Sequence, residues 1–145
     1  MTLSVEVAEE ATPALVDAFA RLLPQLSKSA PAPGKEAVEE LLAASGTNVL
    51  VARDGDDIVG TLTLVVFRVP TGVKAWIEDV VVDDAARGKG VGEALTRRAL
   101  ELAAEVGVAS VDLTSRPSRE AANRLYQRLG FERRDTNVYR YRLET

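Results

Sequence analysis

The chain has 145 residues, of which 46% are hydrophobic and 28% charged, with a formal net charge of −4 and neither Cys nor His. A chain of this size suits one domain, residues 1–145, around a single core. Without Cys and His there are no disulfides, no zinc-type ligand set and no Cys-His or Ser-His-Asp nucleophilic machinery. No metal is expected, although an all-oxygen magnesium site stays open. Any general base must be Asp, Glu, Lys, Tyr or a terminal group.

The acidic balance argues against a nucleic-acid footprint and against a basic helix on a membrane surface. The N-terminal residues Met1 to Glu10 lack a basic stretch leading into an apolar one, so they do not read as a signal peptide. The longest apolar run, Ile58 to Val69, is too short and interrupted for a bilayer span. A cytoplasmic protein with no nucleic-acid or membrane partner is the expectation.

In chain order, Leu3, Val5 and Val7 alternate as a first strand. Thr12-Pro13 reads as an N-cap and first-turn proline, opening a helix to about Leu23. Ser27 to Gly34 carries prolines that cannot continue a helix, and a second helix follows from Lys35 to Ala44. Asn48–Arg53 and Ile58–Arg68 are β-branched runs joined by Asp54-Gly55-Asp56-Asp57, a hairpin signal. After the turn Pro70-Thr71-Gly72, a strong strand runs from Val73 to Val82. A long helix then reaches about Val106, with Val91, Leu95, Ala99, Leu102 and Val106 on one face. Val108–Thr114 reads as a strand. Pro117-Ser118 reads as the cap of a helix to Leu129 that buries Ala121, Leu125 and Leu129. Phe131–Arg134 and Asn137–Leu143 read as two final strands. The order is β-α-α-β-β-β-α-β-α-β-β.

The most specific feature is Arg87-Gly88-Lys89-Gly90-Val91-Gly92, between the valine-rich strand and the long helix. The first N–H groups of a helix lack internal partners and sit at the positive end of its dipole. Glycines let a phosphate approach them closely, and Arg87 and Lys89 add charge. Neighbouring motifs do not fit. A Walker loop needs Lys-Ser/Thr after its last glycine, whereas Gly92 precedes Glu93. The dinucleotide fingerprint and the kinase loop both place their third glycine one residue later. The bland alternative is a plain strand-to-helix turn.

Arg87-x-x-Gly90-x-Gly92 after Ile77-Glu-Asp-Val-Val-Val82 resembles the acetyl-CoA motif of the GNAT acetyltransferase superfamily. Ala122-Asn123-Arg-Leu-Tyr126-Gln-Arg-Leu-Gly130-Phe131 resembles that family's later helix. The likeness is strong from Trp76 to Phe131 and weakens over the first 45 residues, where only the element order fits. It implies a mixed, mainly antiparallel sheet flanked by helices on both faces, with the fourth and fifth strands parallel and splayed apart at the cofactor. It implies acetyl-CoA as donor, held at its diphosphate by Arg87 through Gly92 and along its pantetheine arm by the backbone of Val80 to Val82. It also implies a cofactor contact by Asn123 and a general acid at Tyr126. Relatives of this kind often dimerise, which leaves a homodimer open.

Amine acetylation needs a neutral amine, donors for the developing oxyanion and a proton for the leaving thiolate. Tyr126 is the candidate proton donor. The alternative is a half-buried aromatic whose hydroxyl bonds the backbone. Glu78 is the candidate base, because regular alternation puts Glu78, Val80 and Val82 on one face and Ile77, Asp79 and Val81 on the other. The alternative there is an ordinary ion pair or an acid that orders the pocket without moving protons, and Asp79 is the fallback should a β-bulge change the alternation. A bulge would also free an N–H, expected at Val80, for the thioester carbonyl. Trp76 reads mainly as packing, and Arg116 as a loop residue near the proposed pocket. Arg119 and Arg124 read as solvated, while Tyr139 and Tyr141 line a pocket or an interface. The expected activity is direct acetyl transfer from acetyl-CoA to a primary amine of a small molecule or peptide. The rivals are a catalytically silent acyl-CoA binding module and a different nucleotide-binding domain.

Overall fold

The computed structural model describes residues 1–144; Thr145, the last residue of the expected domain, lies outside them. The chain gathers into two units, one from Met1 to Leu113 and one from Thr114 onward.

The first unit is a sheet of β1 (Leu3–Val7), β2 (Thr47–Asp54), β3 (Asp57–Val69), β4 (Gly72–Val82) and β5 (Val111–Asp112), in that spatial order. Neighbouring strands are antiparallel except β4 and β5, which are parallel. Parallel neighbours need a crossover, and α3 (Val91–Glu105) supplies it. The mixed, mainly antiparallel sheet is thus the expected one. Two further helices, α1 (Pro13–Leu26) and α2 (Lys35–Ala43), precede β2.

Thr12 caps α1 as expected, its hydroxyl accepting from the Leu15 N–H at 3.2 Å. The helix runs past Leu23. Pro24 removes one backbone donor, but the Ser27 N–H still reaches the Leu23 carbonyl at 2.9 Å and closes the last turn.

Each face of the sheet has its own core. Leu15, Ala18, Phe19 and Leu22 of α1 and Val38 of α2 pack with Val49, Val51, Ile58 and Val81. The opposite face carries Leu50, Ala52, Gly60, Leu62 and Leu64, which alternate with the first set along β2 and β3. Burying a Leu or Val side chain stabilises a fold by roughly 1.5–3 kcal/mol, so these two layers dominate the unit's stability.

Gly60 shows how closely α3 lies on that second face. A Cβ there would sit 2.9 Å from Val91 Cγ1, 3.1 Å from Leu95 Cδ1 and 3.1 Å from the Val81 carbonyl oxygen. Two of those neighbours belong to the first turns of α3, directly after the glycine loop. Gly60→Ala is therefore expected to destabilise the protein by about 1–3 kcal/mol through overpacking. The measurement is the urea midpoint, with the m-value unchanged; an unshifted midpoint would mean that α3 is free to move away from β3.

Three expectations need correction in this unit. A 3₁₀ turn, Asp84–Ala86, precedes the glycine loop and has no periodic signal in the sequence. The strand expected over Val108–Thr114 shrinks to Val111–Asp112, because the Val108 N–H turns back to the Ala103 carbonyl and prolongs the helix end. Along α3, Val91, Leu95 and Ala99 are buried as expected, but the line continues to Ala103, while Val106 is 52% exposed. A helix lying on a twisted sheet follows its four-residue ridge, which leads to Ala103 and away from Leu102 and Val106.

The second unit contains α4 (Glu120–Arg128). The helix starts later than the expected cap at Pro117-Ser118. Leu125 and Leu129 are half-buried as the face required, whereas Ala121 is exposed. Gly130, at φ +103°, ends it as expected. The strands expected over Phe131–Arg134 and Asn137–Leu143 are not formed among the described residues, and Val138, Tyr139, Tyr141 and Leu143 are exposed. Alternation gives a segment the propensity for a strand, but a strand exists only through its ladder partners, and these residues have none.

Candidate active site

The glycine loop hangs between two buried residues, Ala86 and Val91. Gly88 at φ +77° and Gly90 at φ +81° adopt the left-handed conformation that favours glycine. Gly90 is the N-cap of α3, and its carbonyl accepts the first helical bond, from the Ala94 N–H at 3.0 Å. It has no capping side chain, so no side chain satisfies the free amides of the first turn. At both glycines the space where a Cβ would stand is empty to 4 Å. Thr96 closes the first turn of the helix from behind, its hydroxyl donating to the Gly92 carbonyl at 2.8 Å. Arg87 and Lys89 are exposed at the mouth, and Arg87 Nε lies 2.9 Å from Asp84 Oδ1. Free helix-start amides beside two cations are the elements that anion sites are built from. A plain turn would need neither two left-handed glycines nor two cations.

The strand leading into the loop is bulged. Thr63 pairs with Glu78 and Thr61 with Val81, so Asp79 and Val80 together oppose the single residue Leu62. Asp79 takes φ +48°, a left-handed conformation rare for a residue with a side chain. The bulge corrects the expected alternation. Through their pairing with Thr63 and Thr61, Glu78 and Val81 share the α1 face, and Val81 packs into the α1 core. Val82 pairs with Gly60 and so belongs to the α3 face, away from Glu78. Trp76, paired with Val65, lies on the Glu78 face and is half-buried, in keeping with packing. Glu78 and Asp79 are both exposed, and Glu78 forms no ion pair among the described residues.

On its other side β4 pairs with β5 only at Ala75 and Trp76. Among the described residues, Ile77 to Val82 are paired by β3 alone. The parallel pairing expected of the fourth and fifth strands is present at these two positions.

In the second unit, Tyr126 is half-buried and its ring meets Phe131 edge-on, with centroids 5.6 Å apart and planes at 65°. Its hydroxyl makes no hydrogen bond among the described residues, so the backbone-bonded alternative is absent. Burial pushes the phenol above its ordinary value of 10.0, and the Arg119 charge pulls it partly back. Asn123 Nδ2 donates to the Arg116 carbonyl at 2.9 Å and the Arg119 carbonyl at 2.8 Å. Its amide hydrogens thus tie down the loop before α4, a structural task the sequence reading did not assign. Arg116 and Arg124 are exposed.

The Acetyltransferase (GNAT) family matches residues 14–131. The chain belongs to that family. Over 121 residues this GNAT protein is 32% identical to a mycothiol acetyltransferase of Renibacterium salmoninarum, a match covering 81% of the chain and 36% of the relative. Over 132 residues it is 34% identical to glucosamine 6-phosphate N-acetyltransferase 1 of Oryza sativa subsp. japonica, covering 85% and 78% of the two chains. It thus spans about a third of the mycothiol relative and most of the rice one. A solved acetyltransferase structure from Trypanosoma brucei superposes with a TM-score of 0.79 at 27% identity, covering 98% of this chain and all of that one.

Among the described residues of the GNAT chain, no helix is long and apolar enough to cross a membrane, and no cluster of acidic residues is arranged to hold a metal. Arg21 and Gln25 of α1, which carry no motif in the sequence, meet the turn that precedes the glycine loop. Their partners are Asp83 and Asp84, and no short motif announces pairs so far apart in sequence.

Proposed function

We propose that this GNAT protein is an N-acetyltransferase that passes an acetyl group from acetyl-CoA to a primary amine by direct attack, within one catalytic domain of residues 1–145. The observation that carries the reading is the uncapped N-terminus of α3, with left-handed Gly88 and Gly90, after a strand whose last residues, Ile77 to Val82, are paired on one side only among the described residues. In this reading the amides from Gly88 to Gly92, with Arg87 and Lys89, hold the diphosphate of the donor. The backbone of Val80 to Val82 aligns its pantetheine arm, and Asn123 helps to hold the cofactor. Acetyl-CoA supplies the thioester.

Glu78 takes the proton of the ammonium, directly or through water, since an alkylammonium with a pKa of about 10 has no free lone pair. The amine nitrogen then bonds to the carbonyl carbon. The N–H of Val80, at the bulge, serves the oxyanion. The carbon–sulfur bond would then break, Tyr126 giving its proton to the departing thiolate, and the excess proton on the bonded nitrogen would pass through water to the tyrosinate, leaving a neutral amide. With no Cys or His in the chain, no acyl-enzyme step is invoked. The acceptor is an amine of a small molecule or peptide; the rice relative's name gives one example of such an amine. A cytoplasmic location completes the reading.

Thermal unfolding with acetyl-CoA, ATP and NAD tests it. Acetyl-CoA at one hundred times its Kd is expected to stabilise by about 2.7 kcal/mol, or roughly 10 °C in Tm, and the other two are not. Stabilisation by ATP or NAD without acetyl-CoA would overturn the proposal. Thiol release over an amine panel then separates an enzyme from a silent acyl-CoA binding module.

A further inference from the structure

We infer that Arg21 and Gln25 are positioning residues for the glycine loop, holding its amides in the arrangement that receives a diphosphate. The inference rests on the reading of that loop given above.

The two residues stand one turn apart on α1 and therefore on one side of it. Arg21 Nη1 donates to Asp83 Oδ2 at 2.6 Å, and Nη2 donates to the Ile58 carbonyl at 2.9 Å. Gln25 Nε2 donates to the Arg21 carbonyl at 3.3 Å, and its Oε1 accepts from the Asp84 N–H at 2.8 Å. Asp83 is held from two other directions as well. Its N–H donates to the Val59 carbonyl at 2.8 Å, and its Oδ1 accepts from the Ala85 N–H at 3.1 Å, capping the 3₁₀ turn. Asp84 in turn engages Arg87 through Nε, which leaves both terminal amino groups of that guanidinium for an anion.

Helix, sheet and turn thus converge on two residues immediately upstream of the loop. The downstream end is fixed by Val91, which is 1% exposed. Between these ends lie Arg87 to Gly90, with two glycines and no side-chain hydrogen bond to their backbone. Such a segment would sample many conformations if either end were loose, and a phosphate would have to order it on binding. The side chain of Asp83 is only 19% exposed, so its charge-assisted contact with Arg21 is better shielded from water than an ordinary surface pair.

The test uses the intact protein with CoA as the probe. Calorimetric titration is expected to show Arg21→Gln binding CoA roughly 5- to 20-fold more weakly than wild type. Arg21→Lys restores part of that loss, because an ammonium can pair with Asp83 but cannot fork to the Ile58 carbonyl as well. Gln25→Ala weakens binding in the same direction by a smaller factor. In the unliganded Arg21→Gln protein, amides from Asp84 to Gly92 are expected to exchange several-fold faster, while those of β2 and β3 keep the wild-type rate. Equal affinity in wild type and Arg21→Gln would overturn the inference. So would a uniform rise in exchange across the sheet, the signature of general destabilisation. If wild type itself takes up no CoA, the parent reading of the loop fails, and the brace is then decided by the exchange pattern.

Discussion

Gly90→Asp is expected to abolish CoA binding, by at least a hundredfold, while leaving the protein folded. The two effects separate because of where Gly90 stands. As the N-cap of α3, it occupies a position where an aspartate favours the helix, through the dipole and the free amides of the first turn. The left-handed φ of +81° costs a side chain roughly 1–2 kcal/mol, and Asp is among the residues that tolerate it best. The urea midpoint should therefore move little. The carboxylate would nevertheless enter the space into which a diphosphate must come. Two like charges 4 Å apart near a protein surface repel by about 4 kcal/mol, close to a thousandfold in affinity. Gly90→Ala is the control, with at least as much strain but no charge, and should lose far less. Calorimetry at constant salt reads all three proteins. Wild-type affinity in Gly90→Asp would mean that the phosphates bind elsewhere.

Tyr126→Phe is expected to lower kcat by about 10²–10⁴ with little change in the KM for acetyl-CoA. The ring and its edge contact with Phe131 survive the substitution, so the loss is confined to the hydroxyl. The pH dependence supplies a second signature. A proton donor must be protonated to act, and burial raises this phenol above 10.0 against the opposing pull of Arg119. The descending limb of kcat in the wild type should thus lie above pH 10, and the Phe variant should lack it. Activity measured by thiol release with a reactive amine checks both points. An unchanged kcat across the range would remove Tyr126 from the chemistry.

The parts that local patterning controls were readable in the sequence. Thr12-Pro13 announced α1, Asp54 to Asp57 announced the first hairpin, and the glycines after Val82 announced the start of α3. The parity of β4 was not readable in the same way. Whether Glu78 shares a side with Val82 depends on a bulge that no composition signal locates, although the reading allowed for one. The brace from Arg21 to Asp83 was invisible because it joins distant elements. The task of Asn123 was missed for the opposite reason. Asn commonly bonds nearby carbonyls, and the turn at Pro117 offered two of them, but the helix motif drew attention to a ligand instead. The last two strands failed because their alternation says nothing about where a partner would come from.

The extra residue in β4 gives that strand two reading frames. Before it, odd numbers address α3 and even numbers address α1; after it, the assignment is reversed. An engineer reshaping the surface beside Glu78 can vary Trp76 and Glu78 without disturbing the bed of α3. Carrying the same even-numbered pattern on to Val82 would instead strike the layer under α3, and the residue that continues the α1 side is Val81, already committed to its core.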